Sequence, residues 1–248
     1  MEVGIESLNA FEIVRGIFTL AFVVISILIG IKIMLKYFTF KRKEYIAVGL
    51  TWVFISSPWW GNAFSFLSIV LFRYAFEPFL YLLLMSAFVP LALMCWIYSI
   101  TKLSYPELKN KLIIPYFTIC IVYILYLLIA LCIDTRLIGE QKGLFDFQRT
   151  LIPNLFTYFA IANTIILGVL FARSSIKSPD PQVQWKGKFM LIAILSFVAA
   201  AAIDSIFVGQ YFILRAVLRL VLITSGVEYY LAFFLPEKLA NKLIKEQA

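Results

Sequence analysis

The chain has 248 residues, of which 62% are apolar, and its mean hydropathy is +0.94. Soluble domains are typically about 45–50% apolar, so this composition excludes a water-soluble globular protein and predicts an all-α integral membrane protein. The formal net charge is +8. Membrane topology accounts for this basic excess, as shown below, so it does not indicate a nucleic-acid partner.

Seven apolar stretches of membrane-spanning length follow one another along the chain. A helix needs roughly 20 apolar residues, at about 1.5 Å per residue, to cross a hydrocarbon core of about 30 Å. Backbone amides cannot stay unpaired in lipid, so each stretch is predicted to be helical in spite of internal prolines. The single domain 1–236 contains predicted spans 11–36, 46–71, 78–101, 112–133, 150–172, 188–209 and 211–235.

Lys and Arg residues are distributed unequally between alternate loops. With the N-terminus outside, the outer side carries only Arg15, Arg73, Arg136, Lys142 and Arg149. The inner side then carries Lys32, Lys36, Lys41, Arg42, Lys43, Lys102, Lys109, Lys111, Arg173, Lys177, Lys186, Lys188, Lys238, Lys242 and Lys245. Short cytoplasmic loops are enriched in Lys and Arg, so the sequence predicts a multi-pass protein of the cell membrane with its N-terminus outside and its C-terminus inside.

Two polar segments outside the spans each have two interpretations. The outer loop 134–149 is balanced in charge and has turn points at Gly139 and Gly143. It is either a lid over the outer mouth of the bundle or a solvated connector. The tail 237–248 combines Leu and Ile with Lys at helical spacing, which is typical of a short basic amphipathic helix on the cytosolic face; the alternative is a frayed polar tail.

Several features on which catalysis commonly depends are missing from the sequence. The chain contains no histidine, which removes imidazole acid–base chemistry and the commonest metal ligand. It also lacks paired carboxylates within the spans and a phosphate-binding Gly-rich loop. Cys95, Cys120 and Cys132 fall within spans, where a thiol behaves as a small apolar side chain. We therefore expect neither enzymatic activity nor a metal site or cofactor.

Ionisable residues inside the last two spans are the strongest local signal. Such groups are costly in the bilayer interior, so each needs a partner. The four residues are Asp204, Arg215, Arg219 and Glu228. A turn near Gly209 and Gln210 would place Asp204 and Arg215 at equal depth, roughly 8 Å from the outer end. The sequence therefore predicts an ion pair between Asp204 and Arg215.

Arg219 lies one turn deeper than Arg215 on the same helix face. One carboxylate cannot neutralise two guanidinium groups, so this region has two interpretations. It is either an outward-facing polar cavity that takes a carboxylate or a phosphate through forked hydrogen bonds, or an ion-pair cluster that holds the last two helices together.

A second ion pair is predicted near the inner side. Glu228 lies on the opposite face of the last helix from Arg219, and Lys32 of the first span has a similar depth. The first and last helices are neighbours in a closed ring, so we expect Lys32 and Glu228 to form a structural clamp. A proton relay is the alternative interpretation.

The outer half of the second span, residues 56–62 (SSPWWGN), is unusually polar and aromatic. Its Asn62, together with Asn154 and Asn163 of the fifth span, would line the same outer half of the bundle as the arginines if these faces point inward. Such a lining favours a binding pocket, since ligand sites are mostly apolar with a few polar groups. The alternative is that the amides join neighbouring helices.

Two segments carry a resemblance to a known group of proteins. Residues 88–98 (FVPLALMCWIY) and 228–237 (EYYLAFFLPE) resemble the seven-helix sensor regions at the N-termini of some histidine kinases, and similar stand-alone archaeal membrane proteins. The resemblance implies a seven-helix sensor. In such kinases the last helix continues into a cytosolic signalling domain, which this sequence does not contain, so signalling is expected to use a separate partner.

These features favour a receptor-like protein with an outward cavity for a small anionic ligand, signalling through a cytosolic or membrane protein partner. A transporter or channel subunit for a small solute is the first alternative, although the inner halves of the last spans are mainly apolar. A purely structural membrane partner is the second. In all three cases the lipid bilayer surrounds the bundle.

Overall fold

The computed structural model describes residues 3–145, 147–206 and 212–245. Helices account for most of these residues: α1 Ala10–Phe40, α2 Glu44–Ile55, α3 Trp60–Phe72, α4 Pro78–Ser86, α5 Val89–Ser104, α6 Lys109–Ile133, α7 Leu151–Ile176, α8 Pro181–Ile206, α9 Phe212–Phe233 and α10 Glu237–Lys245. A short antiparallel hairpin, β1 Gly139–Gln141 and β2 Phe147–Arg149, lies between α6 and α7. The predicted turn at Gly209 and Gln210 lies outside the described residues.

Six helical segments within these ranges are long and apolar enough to cross a membrane. Five of them belong to single helices, namely α1, α6, α7, α8 and α9, and the sixth is α4 together with α5, residues Pro78–Ser104. Many large apolar side chains on these helices are exposed, as lipid-facing side chains are. The chain is therefore a helical multi-pass membrane protein.

The second predicted span, 46–71, is divided into two helices. A 3₁₀ turn at Ser57–Trp59 separates α2 from α3, and these helices have 12 and 13 residues, too few for either to span alone. Pro58 supplies no N–H for an α-helical hydrogen bond here. The Ser56 hydroxyl donates to the Val53 carbonyl at 2.7 Å and accepts from the Trp60 indole at 3.0 Å, which provides polar partners at the break.

The main helices form a closed ring. Helix α1 packs on α2 and α9, α2 packs on α5, α5 on α7, α7 on α8, and α8 on α9, while α6 lies outside against α5. Helices α1 and α2 approach closely because Gly30 and Gly49 face each other: a Cβ on Gly49 would lie 2.4 Å from the Gly30 carbonyl oxygen. Because α1 packs on α9, the first and last long helices are neighbours.

The loop 134–149 packs against one end of the bundle. Ile138 and Phe145 are buried, and the Phe145 carbonyl accepts hydrogen bonds from Arg15 Nη2 at 2.9 Å and from the Tyr81 hydroxyl at 3.0 Å. These contacts attach the hairpin to α1 and α4. The segment is a packed cap at this end of the bundle rather than a free connector.

Candidate functional site

A narrow cleft between α1 and α9 contains three arginines. Arg15 of α1 lines it together with Arg215 and Arg219 of α9, and its cavity volume is about 10 Å³, close to the space that one water molecule needs. The hydrogen bond from Arg15 to Phe145 places the cleft near the hairpin end of the bundle. None of the described side chains that line the cleft is acidic. We refer to it as the arginine cleft.

The ion pair beside this cleft joins Asp204 of α8 to Arg219 of α9. Arg219 Nη2 donates to Asp204 Oδ2 at 3.1 Å. Nη1 lies at the same distance from that oxygen, but it is not aligned for a hydrogen bond with any described residue. Exposure of the two side chains is 4% for Arg219 and 14% for Asp204, so the pair is shielded from its surroundings.

Two further side chains complete the environment of this pair. The indole N–H of Trp59 donates to the same Asp204 Oδ2 at 3.1 Å, and the Arg219 guanidinium lies 5.5 Å from the centre of the Trp59 ring. Arg219 Nε donates to the Thr19 hydroxyl at 3.2 Å. The pair therefore connects α1, the 3₁₀ turn before α3, α8 and α9.

Arg215 lies one turn before Arg219 on the same face of α9. Its guanidinium carbon is 5.6 Å from the centre of the Phe11 ring on α1. The whole residue is 7% exposed. Arg215 thus contributes charge to the cleft without taking part in the Asp204 ion pair.

The predicted ion pair between Asp204 and Arg215 is not formed, because Asp204 pairs with Arg219 instead. Side chains on a helix tilt toward its N-terminus. The N-terminus of α9 is at the cleft end, so the long Arg219 side chain extends back toward that end, while the tilt of Asp204 on α8 is in the opposite direction. The two groups therefore meet although their backbone positions differ in depth by about one turn.

The predicted clamp between Lys32 and Glu228 is also replaced by other contacts. Lys32 Nζ lies 5.0 Å from the centre of the Tyr230 ring, and Glu228 Oε2 accepts a hydrogen bond from Ser196 at 2.9 Å. Glu228 and Tyr230 are two residues apart, which is about 200° around a helix. Tyr230 thus faces α1 and Glu228 faces α8, so the acid does not meet Lys32.

The three asparagines do not line the arginine cleft. Asn154 donates to the Arg149 carbonyl at 3.1 Å, and Asn163 accepts a hydrogen bond from the Tyr116 hydroxyl of α6. Both lie on α7, which packs on α5 and α8 rather than on α1. Asn62 of α3 is buried, and its Oδ1 has no hydrogen-bond partner among the described residues.

Three contributors to the site were not selected from the sequence, namely Arg15, Trp59 and Thr19. Arg15 was assigned only to the basic count of the outer side, although it lies inside the predicted first span, 11–36. Thr19 was not selected because threonine is common at helix interfaces in membranes, and Trp59 was noted only as part of the aromatic segment 56–62. Their roles depend on how the helices are rotated.

Comparison with models of known protein families finds no match for this chain, and comparison with curated proteins finds none either. The assignment of a function therefore depends on the geometry of the cleft.

Proposed function

We propose that this chain is a receptor of the cell membrane that binds a small anion in the arginine cleft and signals through a separate protein partner. In this proposal the chain crosses the membrane seven times, with α2 and α3 together forming the second crossing. The N-terminus and the hairpin then lie outside, and α10 lies on the inner face. The distribution of Lys and Arg supports this orientation.

The observation that carries the proposal is the concentration of three guanidinium groups in one cleft. Arg15, Arg215 and Arg219 line it, and no described lining residue is acidic. A guanidinium presents a planar fork of donors that matches a carboxylate or a phosphate. The low polarity of the surroundings strengthens such pairing relative to water. The ligand class is therefore a small molecule with a carboxylate or phosphate group.

Binding of an anion in the cleft also favours one of two arrangements of α8 and α9, with and without the ion pair between them. An anion in the cleft competes with Asp204 for Arg219, so it weakens the ion pair between α8 and α9. A ligand changes an equilibrium only through unequal binding to its two states. The change in the packing of α9 is carried along this helix toward α10, which is basic and amphipathic and is suited to meet a partner at the inner membrane surface. The resemblance to sensor regions supports the same proposal.

The binding test is a melting-temperature measurement on the purified protein in detergent. Inorganic phosphate and succinate are compared with chloride at equal ionic strength. We expect at least one of the two to raise the melting temperature of the wild type. Arg215→Gln removes a cleft charge and leaves the pair between Asp204 and Arg219 in place, so it should abolish the increase. Arg136→Gln makes the same charge change at an exposed loop position and should preserve it.

Two results would overturn the binding proposal. One is the absence of a shift with both anions in the wild type, which would leave the cleft as a structural ion-pair cluster. The other is a shift that persists in Arg215→Gln. Solute flux in liposomes separates a receptor from a transporter, since a receptor binds the anion without moving it across the bilayer.

Topology is tested by single cysteine substitutions in a protein whose native cysteines are replaced by serine. A membrane-impermeant maleimide added to whole cells should label Gln141→Cys in the hairpin but not Ser178→Cys in the loop between α7 and α8. The opposite labelling pattern would overturn the proposed orientation. Labelling of both positions from outside would overturn the proposed number of crossings.

A further inference from the structure

Two lysines of α1 lie over aromatic rings at the end of α9. Lys32 Nζ is 5.0 Å from the centre of the Tyr230 ring, and Lys36 Nζ is 5.5 Å from the centre of the Phe234 ring. Phe234 directly follows α9 and continues its hydrogen bonding, since its N–H donates to the Tyr230 carbonyl at 2.9 Å. The two contacts are thus one turn, or roughly 6 Å, apart along the packed helices. We refer to these four side chains as the lysine–aromatic ladder.

Neither lysine of the ladder forms an ion pair with an acid in the described parts of the chain. Glu44, shortly after α1, lies 3.7 Å from Arg42. Glu228 of α9 accepts a hydrogen bond from Ser196 of α8 and so faces away from α1. A ring face attracts an ammonium group but does not neutralise its charge. The ladder therefore presents two positive charges whose counter-anion the described residues do not supply.

An exposed apolar strip of α1 runs beside the ladder. Its members are 39–65% exposed and recur every three or four residues, so they share one helix face: Leu28, Ile31, Leu35 and Phe38. At about 100° per residue, Lys32 lies about 60° from Leu35 around the helix axis. The ladder is therefore on the border between the α9 contact and the lipid-facing strip. A molecule that contacts both must combine an anionic group with apolar chains.

The ladder lies near one end of the membrane-spanning part of α1. Lys36 is the last residue of the first predicted span, 11–36. Further rings surround this end: Phe40 stacks on Phe234 with 6.1 Å between ring centres, and Tyr45 packs on Phe234 at 5.1 Å. Tyrosine is enriched at membrane–water interfaces, and lysine side chains near helix ends extend toward the headgroups. These features indicate the depth of lipid phosphates.

We propose that the lysine–aromatic ladder binds one anionic phospholipid, with the phosphate between the ammonium groups of Lys32 and Lys36 and the acyl chains along the apolar strip. Ammonium groups roughly 6 Å apart can both donate to the oxygens of one phosphate. Basic pockets between transmembrane helices recognise headgroups in this way. In the proposed orientation the lipid belongs to the inner leaflet. The site is separate from the arginine cleft and does not depend on the receptor function.

The first test is a lipid titration of the purified protein in detergent, followed by its melting temperature. Dioleoyl phosphatidylglycerol is anionic, whereas dioleoyl phosphatidylcholine has the same acyl chains and no net charge. The wild type should respond to phosphatidylglycerol at the lower concentration. The double variant Lys32→Gln with Lys36→Gln should reduce this preference by on the order of tenfold, because both charges that face the headgroup are lost.

Two further double variants are controls for this effect. Lys102→Gln with Lys177→Gln makes the same change in net charge at exposed positions of α5 and at the end of α7, outside the ladder, so it should keep the preference. Lys32→Arg with Lys36→Arg retains both charges and should keep it too. Inorganic phosphate should not replace phosphatidylglycerol, because it has no acyl chains.

A measurement on the wild type alone covers the case in which the glutamine variant does not fold. The protein is placed in nanodiscs of phosphatidylcholine with or without phosphatidylglycerol and treated with N-hydroxysuccinimidyl acetate. Mass spectrometry then gives the rate of acetylation of each lysine. Phosphatidylglycerol should slow the acetylation of Lys32 and Lys36 more than that of Lys102 and Lys177.

Three outcomes would overturn the proposal. A wild type without preference for phosphatidylglycerol would show that the lysines only extend to the interface or meet an acidic segment of a protein. Equal losses of preference in the ladder variant and in Lys102→Gln with Lys177→Gln would show attraction to net charge alone. Equal slowing of acetylation at all four lysines would exclude a bound lipid at the ladder. A response to inorganic phosphate tests the arginine cleft separately, and the ladder variant should retain it.

Discussion

Replacement of Asp204 or Arg219 by a neutral residue of similar size should destabilise the protein strongly, whereas replacement of both should be tolerated. Asp204→Asn leaves a guanidinium that is almost completely buried without its counter-charge, and Arg219→Gln leaves the carboxylate with only the Trp59 indole as a described donor. The double variant Asp204→Asn with Arg219→Gln restores neutrality and retains two amides that can form a hydrogen bond.

The expected magnitude follows from the geometry. Opposite charges about 4 Å apart attract by about 4 kcal/mol at an effective dielectric constant of about 20. Breaking a buried pair from one side typically costs roughly 3–5 kcal/mol. Thr19 remains as a partner for Arg219 in Asp204→Asn, so we expect a loss of about 3 kcal/mol there. The double variant should lie within about 1 kcal/mol of the wild type, which corresponds to a strong favourable coupling between the two substitutions.

The assay is reversible unfolding in mixed micelles with increasing sodium dodecyl sulfate, followed by tryptophan fluorescence for the wild type, both single variants and the double variant. The free energies of unfolding close a double-mutant cycle. Single variants within about 0.5 kcal/mol of the wild type would refute the reasoning, because surface substitutions have effects of that size. A double variant less stable than either single variant would refute it as well.

Two further predictions concern packing and a surface charge. Gly49→Ala should lower the free energy of unfolding by about 1–3 kcal/mol because the new methyl group meets the Gly30 carbonyl oxygen, while Ala162→Ser at an exposed helical position should have little effect in the same assay. In the hairpin, the hydrogen bond from Lys142 at 2.7 Å, together with its positive charge, lowers the pKa of the Glu140 carboxyl below its ordinary value of 4.5. The stabilising contribution of Glu140 is therefore present above pH 4.5 and is lost as the pH falls through the lowered pKa. Lys142→Gln should raise that pKa toward 4.5, as measured by carboxyl NMR titration.

Each of these two predictions has a contrary result. A Gly49→Ala protein as stable as the wild type would mean that α1 and α2 do not need their close approach. Identical titration curves for Glu140 with and without Lys142 would mean that the contact between these exposed side chains does not persist in solution.

For the charged residues of α8 and α9, the sequence predicted that partners are needed but not which residues they are. The cost of a charge in the bilayer interior indicated that Asp204 and Arg219 require partners inside the bundle. It did not indicate which arginine meets the acid, because that depends on side-chain tilt along two antiparallel helices. Similarly, the hydrogen bond between Asn163 and Tyr116 was not accessible from the sequence, since α6 and α7 are joined by a loop whose packing fixes their relative rotation.

In the second predicted span, 46–71, the break in the helix also could not be located from the sequence. This span was predicted to be helical in spite of its internal proline, and the structure has a 3₁₀ turn at Pro58, which lacks a backbone N–H. The consequence for the site is that Trp59, at the end of that turn, places its indole N–H against Asp204. The aromatic character of residues 56–62 was visible in the sequence, but the contact of Trp59 with Asp204 depends on the bend of the chain at Pro58.

The sequence by itself determined that the protein is a multi-pass helical membrane protein, because the length and apolarity of its segments leave the backbone no other way to satisfy its hydrogen bonds in lipid. It also identified the charged residues whose depth requires a partner. Only the tertiary structure decided which partners they have and which side chains line the arginine cleft. Those contacts depend on the rotation, tilt and interruption of each helix, which are set by packing against its neighbours and not by the local sequence.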